Sequence, residues 1–231
     1  MKKFLKKHVP NGIFKVVNYF SERKNDKKSR QKIFTSIFLN NHWNSSESKS
    51  GIGSTIEQTT ILIKEFEKLL VERKIESILD IPCGDYNWMQ KVKKSNIKYL
   101  GADIVKPLIK SNRKKFKKDK NCKFRIIDLI NDPLPKSDLI FVRDCFVHLT
   151  FEEITKSIQN IKKSGCKYLL TTTFPNHKDN VDSCNGGWRT LNLVEQPFNF
   201  PTPLLYINEN CTEGNLLYID KSMALWNLSD I

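Results

Sequence analysis

Residues 77–89 read SILDIPCGDYNWM. The opening run from Ser77 is short and apolar, and its flanking turn residues argue for a buried strand over a helix. It ends on Asp80, and the chain then breaks at Pro82, Cys83, Gly84 and Asp85. Proline fixes φ and offers no N–H, while glycine admits a left-handed backbone, so a tight turn should follow the strand at once. In an open parallel sheet, the turns beyond the carboxyl ends of the strands are where ligands bind.

The flanking sequence supplies the rest of such a sheet. Upstream, Ser54 and Glu57 have the Ser-x-x-Glu spacing of a capping box, and Ile56, Ile63, Phe66 and Leu70 fall near one helical face. A helix from about Thr55 to Lys74 is predicted. Downstream come the strand-like runs KYLGADI, FRIIDL, DLIFVRD and KYLLTTTF, with FEEITKSIQNIKKSG as the clearest intervening helix, closed by Gly165. This alternation predicts an α/β chain of parallel strands joined by crossover helices. At the end, LLYINENC and KSMALWNL are separated only by a turn-rich stretch around Gly214, too short for a crossover helix. They should pair antiparallel as an edge hairpin.

The chain has 231 residues, enough for one sizeable core, and is 39% hydrophobic. Its formal charge of +14 is local: net +9 falls between Met1 and Lys32 and net +8 between Lys106 and Lys123, leaving the remainder slightly acidic. A solvated face and tail account for both blocks, and nucleic acid is not the favoured partner. Six cysteines show no C-x-x-C and no ligand spacing with His, so reduced thiols and no metal are expected. Pro10, Gly12 and Lys15 interrupt the apolar residues of the N-terminus. Neither a signal peptide nor a membrane span is expected there, and the location expected is cytoplasmic. A basic amphipathic helix on anionic lipid is the alternative for that segment. We divide the chain into a basic helical arm over 1–41 and a domain over 42–231, with a lid over 42–74 and a loop insertion over 176–203.

Asp80, Asp103, Asp128 and Asp144 each close a predicted strand. One such carboxylate is often a helix cap, but four at one rim repel each other unless solvent, cations or polar ligand groups are present. On these residues the region Ser77 to Pro175, and less specifically the chain after about His42, resembles the class I S-adenosylmethionine-dependent methyltransferases. Asp80 to Tyr86 aligns with that family's Asp-x-Gly-x-Gly-x-Gly turn, keeping only Gly84 of three glycines. The Pro-Cys-Gly-Asp form, with GSTIEQT, RDCFVHL, TTTFP and NFPTPL elsewhere, resembles one subgroup of it.

The resemblance implies a Rossmann-like fold, mostly parallel and seven-stranded with a C-terminal antiparallel hairpin, and S-adenosyl-L-methionine as cofactor. It implies that Asp80, Pro82, Cys83 and Gly84 form the turn at the methionine end, Cys83 as a packing residue. Asp103 with Ile104 would meet the ribose, Asp128 with Leu129 the adenine, and Arg143 with Asp144 would floor the site between methyl donor and acceptor. Trp43, Gly53, Ser54, Thr55 and Gln58 would belong to a lid.

A nicotinamide enzyme is disfavoured, because the turn lacks G-x-G-x-x-G spacing. Nucleobase methylation is disfavoured as well, since RDCFVHL stands where an Asn/Asp-Pro-Pro-aromatic turn would follow strand four. His148, four residues beyond Asp144, could take an alcohol proton, or could hydrogen-bond backbone and close the loop. In the insertion, Gly186-Gly187 offers a hinge, Trp188 an apolar wall, Arg189 a fork for phosphate or carboxylate, and Asn192 and Asn199 polar contacts, with Trp88 expected opposite. The expected activity is metal-independent O-methylation of a small polar metabolite or carbohydrate intermediate, one able to bear an acidic group. The alternatives are an RNA or protein methyltransferase and, because two glycines are missing, a non-catalytic binding module.

Overall fold

In the computed structural model, which describes residues 29–94 and 96–231, seven strands make one sheet. Residues 1–28, most of the expected helical arm, lie outside the described residues. The strands are β1 (Ser77–Asp80), β2 (Lys98–Asp103), β3 (Cys122–Ile126), β4 (Leu139–Val142), β5 (Tyr168–Thr173), β6 (Leu205–Asn208) and β7 (Ser222–Asn227). The helices are α1 (Arg30–Leu39), α2 (Ile56–Glu72), α3 (Lys106–Lys115) and α4 (Phe151–Lys163). Strand order is β3-β2-β1-β4-β5-β7-β6, with β1 to β5 parallel and β7 antiparallel to both of its neighbours. The C-terminal pair is antiparallel as expected. β7 enters between β5 and β6, so the outer edge is β6.

Alternation along the strands divides the core between the two sheet faces. Ile78 and Phe141 point to one face and meet Leu62, Phe66 and Leu69 of α2. Leu79 and Ile140 point to the other and meet Ile154 and Ile161 of α4. Each such side chain contributes roughly 1.5–3 kcal/mol by leaving water. The insertion over 176–203 carries no helix or strand among its described residues, yet Leu191, Leu193 and Phe200 are buried in the α4-side core. It is packed because its apolar residues complete that core.

Chain order reverses at β1, with β2 on one side and β4 on the other. This switch point opens a crevice beyond the carboxyl ends of β1 and β4. β3 ends at Ile126, two residues before Asp128, because the Asp128 N–H turns to Asp132 Oδ2 (2.8 Å) and leaves the ladder. Among the described residues, no helix is long and apolar enough to cross a membrane.

One local expectation is corrected. The cap of α2 is Thr55, whose side chain accepts from the Gln58 N–H at 3.4 Å. Ser54 instead belongs to a 3₁₀ turn over Ile52–Ser54, with its hydroxyl near Arg143 Nη1 at 3.5 Å. The capping-box spacing fails because that turn takes up the residue that would otherwise have been the cap. Thr55→Ala should therefore destabilise the protein by about 1 kcal/mol. Urea unfolding should show this as a lower midpoint with an unchanged m-value.

Candidate active site

The crevice at the switch point forms a cleft. Its walls come from the turns after β1, β2, β3 and β4, and from α1 and the loop that follows it. Asp80, Pro82, Cys83, Gly84, Trp88, Asp103, Ile104, Asp128, Leu129, Arg143, Asp144, His148 and Trp43 all line it. Thr55, Trp188, Arg189 and Asn192 do not.

The turn after β1 is fixed by backbone geometry. Gly84 takes φ +53°, and a Cβ there would lie 2.1 Å from Ser50 Oγ. Tyr86 aligns with a motif glycine and also takes φ +63°. A non-glycine residue in the left-handed region costs roughly 1–2 kcal/mol. Here the ring is buried among Tyr99, Phe116 and Phe124, with centroids 4.8–5.3 Å away, which offsets that strain. The turn thus keeps a glycine-like conformation with a tyrosine in it. Cys83 is buried, its N–H donates to the Ala102 carbonyl (2.8 Å), and burial raises its thiol pKa well above the ordinary value.

Asp103 ties this turn to β2. One carboxylate oxygen accepts the Gly84 N–H (3.3 Å) and the other the Val105 N–H (2.9 Å). The group is only 5% exposed, and desolvation pushes its pKa up to about 6. Asp80 is also buried and accepts from the Tyr99 hydroxyl, with desolvation pushing it up to about 7.

Across the cleft, four charges form a closed set, with Arg143, Glu209 and Lys221 buried and Asp144 half-buried. Arg143 donates to both oxygens of Glu209 (2.9 and 2.6 Å) and to the Gly53 carbonyl (2.8 Å). Lys221 meets Asp144 (2.7 Å) and Glu209 (3.5 Å), and Arg143 approaches Asp144 (3.3 Å). Burial alone would raise the Asp144 carboxyl, but Lys221 and Arg143 outweigh it and hold the group below the usual carboxylate range. Lys221 and Arg143 thus favour the ionised form of Asp144.

His148 lies in a 3₁₀ turn over Phe146–His148, with Nδ1 2.6 Å from the Gly187 carbonyl. A carbonyl can only accept, so Nδ1 carries the proton and Nε2 keeps its lone pair. Burial lowers the imidazole pKa and favours this neutral form, while Trp43 covers the ring at 5.4 Å.

The insertion does not form a wall of the cleft. Trp188 packs edge-on against Tyr218 (4.7 Å) and Phe174 (6.1 Å). Arg189 donates to the Phe146 carbonyl (2.7 Å), lies 5.6 Å from the Phe151 ring, and desolvation lowers it to about 10. Asn192 is buried and bonds the carbonyls of Pro175 and His177. Trp88 faces Phe141 and Arg143, not the insertion. The loop instead buttresses the His148 turn, through Gly186 N–H to the His148 carbonyl (3.0 Å) and Arg189 N–H to the Val147 carbonyl (3.3 Å).

Several site residues escaped sequence reasoning. Arg30, Phe34 and Phe38 of α1 line the cleft. Arg30 bridges Asp128 (2.8 Å) and Glu153 (2.5 Å). Asp85 accepts from Ser48 Oγ (2.9 Å) and the Lys49 N–H (2.7 Å), and its own N–H donates to Ser50 Oγ (3.0 Å), latching the loop over 48–50 to the β1 turn. Gln58 pairs with Thr212 (2.6 Å), away from the cleft. Glu209 and Lys221 could have been found from topology, since antiparallel pairing puts the end of β6 and the start of β7 at the rim where β5 ends.

A family model described as a methyltransferase domain matches residues 78–164. Magnesium protoporphyrin IX methyltransferase from Synechocystis PCC 6803, with bound SAM, matches at TM-score 0.59 and 13% identity, over 88% of this chain and 99% of that one. The same enzyme with bound SAH gives 0.57 and 12%, over 85% and 97%. N-methyltransferase NodS from Bradyrhizobium japonicum WM9, in complex with S-adenosyl-l-homocysteine, gives 0.50 and 13%, over 71% and 86%. The chain spans 66% of the methyltransferase domain of bacterial CtHen1-CN, at TM-score 0.45 and 12% identity over 50% of this chain. No curated protein sequence matches it. The likenesses establish a Rossmann-like fold of the methyltransferase kind.

The buried carboxyls set a pH dependence. Asp80 rises from 3.8 to about 7 on folding, so the native state holds the proton more tightly. Its contribution is stabilising below pH 3.8 and is lost as pH rises through about 7. Asp80→Asn removes that loss. Its thermal midpoint relative to the parent should become more positive, by several degrees, between about pH 5 and 8 without added ligand. An equal difference at both pH values would exclude the assignment.

Proposed function

We propose that the protein is an S-adenosylmethionine-dependent methyltransferase of the Pro-Cys-Gly-Asp form, acting on a hydroxyl of a small polar or carbohydrate acceptor. One observation carries the reading: Asp103, buried at the cleft wall, uses one acceptor site per oxygen on Gly84 and Val105 and keeps both oxygens able to accept again. Paired ribose hydroxyls are donors suited to that carboxylate. The close approach of Ser50 to Gly84 leaves no room for a side chain where the methionine end would lie. Ile104, Ile127, Leu129 and Ile130 supply apolar surface for a flat base.

Bound S-adenosylmethionine supplies a methyl group on a sulfonium, ready for displacement by a nucleophile. The chain's part is alignment and proton handling. His148, neutral and with its lone pair on Nε2, accepts the acceptor's hydroxyl proton. Asp144, fixed by Lys221 and Arg143, orients polar groups and favours the imidazolium that results. Trp43 gives an apolar face for a sugar ring. Of the cleft cations, Arg143 and Arg30 already have carboxylate partners, while Lys49 forms no ion pair among the described residues and is the group left to meet an acidic substituent on the acceptor.

Two measurements test this. Calorimetry should show S-adenosylmethionine binding that weakens as pH falls through about 6, where Asp103 takes up a proton, with Asp103→Asn binding at least about tenfold more weakly. An affinity constant from pH 5 to 8 would refute the ribose role. His148→Gln, which can still donate to Gly187, should lower kcat about 10²-fold or more with cofactor affinity unchanged. Its residual rate should lose the parent's decline at acid pH, where His148 becomes protonated. An unaltered pH profile would remove His148 from proton transfer.

A further inference from the structure

Independently of the chemistry in the cleft, we infer that the α3–β3 edge of the molecule is a docking face for an anionic lipid bilayer. Ten exposed Lys and Arg lie between residues 106 and 125, and Asp119 is the single acid among them. Among the described residues, none of these cations forms an ion pair with a carboxylate. Asp119 itself caps a turn through the Asn121 N–H (3.0 Å).

Ordinary structural needs explain only part of this. Arg113, Lys114 and Lys115 sit in the last turn of α3 and suit the helix dipole. Lys123 and Arg125 protect the edge strand β3 from pairing with another chain. Lys106, in the first turn of α3, faces the unfavourable end of the dipole, and Lys106, Lys110 and Lys114 form consecutive like-charge i,i+4 pairs. Lys117, Lys118 and Lys120 follow with no helix to complement. An isolated fold gains little from Lys106, Lys110, Lys117, Lys118 and Lys120, whereas an anionic surface offers them a partner.

Arg30 meets Asp128, just beyond β3, and Gln31 donates to the Ile104 carbonyl (3.0 Å) immediately before α3. The start of α1 therefore lies beside this face. The sequence of residues 1–28 mixes nine Lys and Arg with Phe4, Leu5, Ile13, Phe14 and Phe20, a combination suited to a headgroup region and not needed for phosphate contacts alone.

The face itself fits a lipid surface better than a nucleic acid. Eight of its ten cations are Lys, compact charges without the planar fork that reads phosphate or base edges, and Arg113 Nε is occupied by the Phe124 carbonyl (2.8 Å). No aromatic side chain between 106 and 125 is exposed to stack on bases.

Co-sedimentation of the full chain with vesicles tests the proposal. Binding should occur to phosphatidylcholine vesicles containing about 30 mol% phosphatidylglycerol and not to phosphatidylcholine alone, and should fall about tenfold or more between roughly 0.1 and 0.5 M salt. Charge reversal at Lys110, Lys114, Lys117 and Lys118, each to Glu, should weaken it at least about tenfold. Replacing Lys117, Lys118 and Lys120 by Gln, outside α3, should weaken it in the same direction and serves if the reversed protein does not fold by circular dichroism. Absence of binding to the anionic vesicles, equal binding of parent and variants, or tighter binding to a polynucleotide than to the vesicles at the same salt would each overturn it.

Discussion

The site depends on one carboxylate reaching between two strands. Asp103, at the end of β2, accepts the N–H of Gly84 in the turn after β1 and the N–H of Val105 at the start of α3. That geometry requires the β1 turn to aim its backbone inward, which Gly84 allows by taking φ +53°. Once aimed, the Asp85 N–H reaches Ser50 Oγ and the Asp85 carboxylate gathers Ser48 and the Lys49 N–H. The loop over 48–50 is thereby attached to the turn after β1 by polar contacts from consecutive residues, so loop and turn should order together.

The opposite wall uses charge in a different way. Arg143, Lys221, Glu209 and Asp144 sum to zero and satisfy one another within 3.5 Å. A buried set of this kind adds little net stability compared with an apolar one, but loss of a single member leaves an uncompensated charge. Its value here is positional. It attaches β6 and β7, which carry no cleft residue, to the rim of β4, and keeps Asp144 ionised while His148 stays neutral.

Much of this was legible in the sequence because it rests on local signals. Short apolar runs alternating with helical segments, a proline-glycine break and an Asp at the end of successive strands read directly as a parallel sheet with a polar rim, and Asp80, Asp103, Arg143, Asp144 and His148 do meet in one cleft. The insertion misled. Trp188, Arg189 and Asn192 have the chemistry of a binding pocket, but nothing local says that Leu191, Leu193 and Phe200 among them must fill the α4-side core and draw the loop away from the cleft. Arg30 was illegible for the same reason. Its partners Asp128 and Glu153 lie about a hundred residues or more along the chain, and no short-range pattern announces them.

The missing glycines show why a motif is better read as a set of backbone torsions than as a string of letters. Tyr86 holds a left-handed conformation where the resembling family has glycine, supported by three surrounding aromatic rings. One of those rings, Tyr99, also donates its hydroxyl to Asp80. The substitution is therefore coupled. The side chain that strains the turn also packs the residue that satisfies the buried acid at the end of β1, so removing the tyrosine to restore glycine would relax the backbone and loosen Asp80 together. Loss of the glycine at position 86 is thus compatible with a formed turn, because a well-packed tyrosine supplies the positive φ there, whereas Pro82, with φ fixed by its ring, fills the other position without it.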